Sequence, residues 1–471
     1  MKTLARIIAL ALLCWLSVAV AIADPVPEAK WSVEGVMLQS FHWNSAGRVK
    51  VDGKSDNWYQ LIGKHAATIG RSFNRIWMPP ASEAAVEDIH GPAAQGYLPY
   101  NLLKLSSDYG NWAHLKQTLA LLKQHGVSPI ADMVINHVSP TPTVKNNGQR
   151  YQLNAATDRF IDLHPTDIVK ESGGLGASDT GQQFSLVADV DHTSEHARRT
   201  YVNFLAKLGK MGFEGLRYDF AKGYSPRTLR LYNGVAKPKF SVAELWDDYK
   251  FADPKTTADV KTTDGKTSEA HRQQLLDYAK ATGFRTAMFD FTTKAVLQEA
   301  VKNGEYWRLR DSQGRAAGLL GVAPAYAVTF VDNHDTGSSP GGNGKGGQKH
   351  WEFPGDKVMQ GYAYILTHPG IPSVYWPHYF DWQSPFRQNM MQTELDKLMS
   401  VRKAAGVDAT STMRIVEADQ QRYAAVIEGK HETLAMKIGP GAWQPPTTEG
   451  YKLVADGESY AVWSKASVRA K

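Results

Sequence analysis

Four short stretches of this 471-residue sequence set charged or polar side chains directly after an apolar run. They are 132–137 (Asp-Met-Val-Ile-Asn-His), 215–223 (Gly-Leu-Arg-Tyr-Asp-Phe-Ala-Lys-Gly), 242–246 (Val-Ala-Glu-Leu-Trp) and 330–335 (Phe-Val-Asp-Asn-His-Asp). A carboxylate at such a position is expensive to bury unless a partner or a substrate meets it. Arg217 and Asp219 are two residues apart, so on a strand they share one face. A guanidinium there is expected to hold Asp219 ionised, the state a carboxylate nucleophile needs. Glu244 ends the next apolar run. Two carboxyls about 5–5.5 Å apart form a retaining pair, in which Asp219 attacks an anomeric carbon and Glu244 serves as acid, then as base. A structural Arg–Asp pair beside a rim glutamate is the plainer reading of any one stretch. Four of them in order weigh against it.

The elements that would carry these residues alternate. Short apolar runs at 35–41, 73–78, 128–135, 215–219, 240–244, 286–289, 327–331 and 373–376 read as strands. Amphipathic stretches between them, such as 112–125, 196–211, 271–282 and 357–367, read as helices. Strand–helix alternation implies parallel strands with crossover helices. Eight such units predict an α/β fold, a (β/α)₈ barrel of the TIM type, with its polar residues at the carboxyl ends of the strands. An open doubly wound sheet is the rival, but no Gly-rich dinucleotide turn follows the first strand. The long connection 138–188 is rich in Pro, Asn, Gly, Ser and Thr and is expected to form an inserted small subdomain. The barrel then comprises 24–137 and 189–405. Beyond it, short β-rich runs at 413–418, 422–428, 433–438, 451–455 and 459–463 predict a C-terminal antiparallel domain over 406–471. The Gly-rich run 341–347 contains Lys345 but no following Ser or Thr, so it reads as a loop beside the site rather than a phosphate cradle.

Lys2 and Arg6 precede an apolar run to Ile22, and Ala21-Ile22-Ala23 has small residues where a signal peptidase reads them. Residues 1–23 are therefore expected to be a signal peptide, giving a secreted protein, extracellular or periplasmic, with no membrane association after cleavage. The single cysteine, Cys14, lies in this leader, which excludes disulfides, thiol nucleophiles and thiolate metal sites from the rest of the chain. Net charge is +6 with no long Lys/Arg run, so nucleic acid is not an expected partner. Aromatics make up 10% of the chain, enough to supply both a large core and a sugar groove.

The four charged stretches, in this order, resemble the four ordered motifs of the α-amylase family. Phe41-His42-Trp43-Asn44, Trp77-Met78-Pro79-Pro80, Gln95-Gly96-Tyr97-Leu98-Pro99 and the end of the chain through Tyr460-Ala461-Val462-Trp463 are similar to its plant-type members. Asp335-Thr336-Gly337 through Tyr375-Trp376 and His378 also resembles bacterial maltooligosaccharide-forming amylases. The resemblance implies Asp219 as nucleophile, Glu244 as acid/base and Asp335 as the third carboxylate, gripping hydroxyls of a distorted sugar. It implies His137 and His334 as hydroxyl ligands, Tyr97 as a stacking ring, Lys222 on the leaving side, and Arg217, Trp43 and Trp246 as further substrate-site residues. It also implies a structural Ca²⁺ held by Asn136, Asp189 and the carbonyl of Gly223, oxygen donors of the kind calcium takes. Acids between His137 and Asp189 are sparse, so a multi-calcium cluster is not expected. The implied partner is an α-1,4-glucan (starch, glycogen or maltooligosaccharides) cut internally by a monomer. Exo-acting release of one maltooligosaccharide and a non-catalytic glucan-binding protein are the alternatives. The three retained carboxylates argue against the last.

Overall fold

The computed structural model describes residues 26–51, 54–247, 249–251, 260–262, 267–339, 347–380 and 390–467. The leader with Cys14, and the Gly-rich run apart from Gly347, lie outside the described residues. Strands β1 (Met37–Gln39), β2 (Arg75–Trp77), β3 (Ser128–Met133), β4 (Gly215–Tyr218), β5 (Phe240–Ala243), β6 (Ala287–Phe289), β7 (Ala327–Phe330) and β8 (Ile371–Tyr375) close a barrel in sequence order. Every neighbouring pair is parallel, including β1 with β8. All eight runs read from the sequence are these strands, and their continuous apolar character follows from burial on both faces.

The helices are α1 (Trp58–Lys64), α2 (Ala66–Ser72), α3 (Trp112–Gln124), α4 (Glu195–Met211), α5 (Pro226–Ala236), α6 (Ser268–Ala281), α7 (Phe291–Asn303), α8 (Val358–Thr367), α9 (Trp376–Tyr379) and α10 (Met390–Ala405). Their starts are set by local chemistry. Asn57 and Gln60 form a capping box on α1, and Asn111, Ser194, Thr267 and Asp290 each accept a backbone N–H at the start of α3, α4, α6 and α7. The α8 helix is buried along its whole length. The reason is the C-terminal sheet of β9 (Thr412–Ala418), β10 (Tyr423–Glu428), β11 (Glu432–Ile438), β12 (Lys452–Gly457) and β13 (Tyr460–Ala466), paired antiparallel in the order β9-β10-β11-β13-β12, which packs on α8 and α10.

The segment after β3 leaves and returns through one small ladder, His137–Val138 against Ala188–Asp189. Thr143–Val144 pairs with Val86–Glu87, and Val144 joins Ala85, Leu98 and Val187 in a small apolar cluster separate from the main core. Besides these short strands, the described residues of this segment hold two 3₁₀ turns, Pro165–Asp167 and Lys170–Ser172, and no α-helix. Among the described residues, too, no helix is long and apolar enough to cross a membrane.

One buried cation ties α8, β8 and α10 together. Arg402 on α10 donates through Nη1 to the carbonyls of Leu366 (3.1 Å) and His368 (2.6 Å) and through Nη2 to Gly370 (2.9 Å). Truncation strands three buried acceptors at once. Arg402→Met is expected to lower unfolding free energy by about 2–4 kcal/mol, read by chemical denaturation. A loss below about 0.5 kcal/mol would show that water replaces the guanidinium.

Candidate active site

Asp132 on β3 and Arg217 on β4 are register partners, and Glu244 follows β5 immediately. The barrel thus turns residues 132, 217, 219 and 244, far apart in sequence, into one cluster at the carboxyl ends of neighbouring strands. Arg217 Nη1 donates to Asp132 Oδ1 (2.9 Å) and to Asp219 Oδ1 (2.7 Å). Nη2 lies 2.6 Å from Glu244 Oε1, off the N–H axis, which makes this a charge contact rather than an aligned hydrogen bond. Arg217 is fully buried beneath the acids and does not reach the cleft wall. Its described contacts are to the carboxylates of Asp132, Asp219 and Glu244. Trp77 stacks under the guanidinium, with 4.5 Å from Cζ to ring centroid. Asp132 holds the other flank, its Oδ2 accepting from Trp77 Nε1 and Tyr97 OH, each at 2.9 Å.

Above this layer lies a cleft of about 840 Å³ walled by Trp43, Tyr97, His137, Asp219, Lys222, Glu244, Trp246, His334 and Asp335 among others. Trp43, Tyr97 and His334 form a near-parallel stack, with Trp43 and Tyr97 8° apart and Tyr97 and His334 11° apart. Flat rings with polar edges are suited to sugar faces. Gln39 Nε2 donates to His334 Nδ1 (3.1 Å), which leaves Nε2 carrying the hydrogen toward Asp335 Oδ2 at 3.3 Å. His137 lines the cleft too, but its Nε2–H donates to the Tyr97 carbonyl (2.8 Å) and its ring stacks on Phe184 at 3.8 Å. Its other ring nitrogen, Nδ1, lies 3.4 Å from Asn136 Nδ2. Trp246 stacks on Phe291 while also facing the cleft, so packing and groove both claim it. Lys222 sits at the cleft edge, 5.4 Å from the Phe220 ring centroid. Phe220 itself has φ +45°, a left-handed position a large side chain rarely takes, directly after Asp219.

Protonation departs from the sequence expectation. Burial raises Asp219 to about 8, with Glu244 and Asp132 adding to it and Arg217 opposing. Asp335 is pushed well above the usual carboxylate range by burial and by Glu244. Arg217 is the strongest influence holding Asp219 toward its ionised form, and burial together with the neighbouring carboxylates pushes the other way. Burial lowers His137 to about 4 and His334 well below its ordinary value, so both imidazoles are neutral.

A second cluster lies behind the cleft. Asn136 Nδ2 donates to Asp189 Oδ1 (2.9 Å), and a Cβ on Gly223 would sit 2.1 Å from Asn136 Oδ1, so only glycine lets its backbone approach. The three residues expected to hold calcium are thus together. Asp179, unmarked in the sequence, lies near Asp189 and raises it electrostatically after burial; its Oδ2 is buried without a hydrogen-bond partner. An orphaned carboxylate oxygen beside an amide, a second carboxylate and a glycine backbone is an all-oxygen donor set that suits a hard cation. Asp132, Trp77 and Gln39 were also missed as site residues. Gln39, a polar residue inside an apolar strand, was the legible signal.

Paired acids over a buried cation at the open end of a parallel barrel equip this protein for glycosidic bonds, and the fold and site define it as a glycoside hydrolase. The family model for the α-amylase catalytic domain matches residues 69–376, and that for the α-amylase C-terminal β-sheet domain matches 404–464. A probable α-amylase 2 of Arabidopsis thaliana is 39% identical over 431 residues, 91% of this chain and 94% of that protein. A glucan 1,4-α-maltotetraohydrolase of Stutzerimonas stutzeri is 31% identical over 432 residues, 87% of this chain and 69% of that protein. The structure of an α-amylase from Malbranchea cinnamomea shares the fold at a TM-score of 0.61 and 16% identity, covering 88% of this chain and 86% of that one. This chain belongs to the α-amylase family and is an enzyme of that family.

A raised folded-state pKa means that ionising Asp219 works against folding, so its contribution is lost as pH climbs from about 4 toward 8. Asp219→Asn removes that titration. Calorimetry from pH 4 to 9 should show the variant gaining a few degrees in Tm over the parent, absent at pH 4 and growing to pH 8. A gain that shrinks with pH would contradict the assignment.

Proposed function

We propose that this enzyme is a secreted α-amylase that hydrolyses internal α-1,4-glucosidic bonds of starch and glycogen with retention of anomeric configuration. One observation carries the reading: Asp219 and Glu244 both contact the guanidinium of Arg217, with Asp335 on the same cleft. Carboxyls sharing one cation stand close, as a nucleophile and acid/base pair must, rather than apart with a water between them as inversion requires.

In this reading Asp219 attacks the anomeric carbon while Glu244 protonates the departing glycosidic oxygen. Glu244 then takes a proton from the water that releases the sugar from Asp219. Asp335 and the Nε2–H of neutral His334 grip sugar hydroxyls, contacts that tighten as positive charge develops on the ring. Tyr97 and Trp43 offer faces to the bound sugars, and Lys222 and Trp246 receive the leaving chain. A calcium ion held by Asn136, Asp179, Asp189 and the carbonyl of Gly223 would supply structural cross-linking, pinning the segment after β3 to the barrel. The boundaries at 138–188 and 406–471 divide the chain into barrel, inserted subdomain and C-terminal domain, and the chain acts as a monomer.

Three measurements test this. Asp219→Asn and Glu244→Gln should each lower reducing-sugar release by about 10³-fold or more. Proton NMR of fresh products should show the α-anomer first; the β-anomer would overturn retention. A time course on soluble starch should give mixed oligomers with an early fall in viscosity, whereas one dominant maltooligosaccharide would replace endo by exo action. Separately, EDTA should lower Tm by several degrees and calcium restore it, and an unchanged Tm would remove calcium from the reading.

A further inference from the structure

The charged stretch 330–335 contains a second acid, Asp332, that faces away from the cleft and has no part in the chemistry above. Its partner is Lys294 on α7, a lysine with no exposure at all. Lys294 Nζ lies 2.8 Å from Asp332 Oδ1, also donates to Gln298 Oε1, and is covered by the rings of Phe353 (5.3 Å) and Trp351 (5.6 Å). Apolar residues of similar volume would fill such a place at equal or lower cost, so a buried ion pair there asks for a reason other than stability.

The reason is in what Asp332 holds. Its Oδ1 accepts from Thr336 Oγ1 (3.0 Å), and both its oxygens accept from Phe353 N at 3.2–3.3 Å. Thr336 Oγ1 in turn accepts from Asn333 N (3.0 Å), while Asn333 Oδ1 accepts from the backbone N–H groups of Asp335 (3.0 Å) and Thr336 (2.9 Å). The second loop is bound to the first by His350 N to Asp335 O (3.0 Å) and Trp351 N to Thr336 O (3.3 Å). Gly337 closes the knot at a point where a Cβ would meet Asp332 Cβ at 2.9 Å. On its other side Asp332 Oδ2 lies 3.8 Å from His378 Nε2, whose Nδ1 is bonded to Tyr362 OH at 2.8 Å. Burial lowers that imidazole to about 3, so Lys294 is the charge that balances Asp332.

We propose that Lys294 is a positioning residue for glycosidic cleavage: through Asp332 and Thr336 it fixes the backbone that aims Asp335 and His334 into the cleft and holds the His350–Trp351 wall beside them. The inference rests on the role given to Asp335 above. Displacing a carboxylate that acts mainly in the transition state should lower kcat with little change in KM.

The test uses the full chain and soluble starch. Thr336→Val removes the hydroxyl that links Asp332 to Asn333 without touching a charge. It should lower kcat by about 10- to 100-fold with KM within about twofold and Tm within about 3 °C, and Thr336→Ser should restore kcat. Lys294→Met strands Asp332 and should lose both Tm and kcat. The double variant Lys294→Met/Asp332→Asn removes both charges and should recover Tm while kcat stays depressed. Recovery of kcat with Tm in the double variant, or unchanged kcat in Thr336→Val, would overturn positioning and leave a purely structural pair. Asp335→Asn is the separate control: if it stays active, the role of Asp335 falls, whatever Lys294 does.

Discussion

Arg217 sits with no solvent exposure below the cleft, and the carboxylates of the site are arranged around its guanidinium. It faces Asp132 and Asp219 through one nitrogen and Glu244 through another, while Trp77 lies against its flat face. A lysine could not substitute, because a single ammonium has no planar fork to span carboxylates from three strand ends. The barrel is what makes this economical. Parallel strands in register place β3, β4 and β5 side by side, and their last residues converge without long loops having to be ordered.

The same constraint sets the electrostatics. Several carboxylates around one cation in a water-poor pocket cannot all be ionised, so the cluster holds proton where isolated acids would have none. The histidines beside it respond in the opposite direction and are neutral. A neutral imidazole can still donate, and the bond from Gln39 decides which nitrogen of His334 does so. Acid chemistry and hydroxyl recognition are therefore separated by burial acting with opposite sign on two residue types.

Buried cations recur as tethers. Arg402 gathers carbonyls at the end of α8, and Lys294 anchors the loop carrying His334 and Asp335 from a neighbouring helix. Each connects segments distant in sequence, at places where the backbone is irregular and has few ladder hydrogen bonds of its own. For the Lys294–Asp332 pair, removing the cation alone is worse than removing both charges together.

Much of this protein was legible in its residues. The eight barrel strands and the five C-terminal strands announced themselves because strands buried on both faces, or alternating on one, impose their pattern on sequence whatever surrounds them. Asp219, Glu244 and Asp335 stood out because a charge ending an apolar run is costly enough to need a purpose. What those residues touch was not legible. Arg217 as floor rather than wall, His137 turned to a backbone carbonyl, the proton shared among the acids, and Asp179 brought beside Asp189 all depend on distances between strands and loops far apart in the chain. Sequence fixes residue type and local period; charge balance and hydrogen-bond choice are set by whichever neighbours tertiary packing brings within a few ångström, and only the closed barrel decided those.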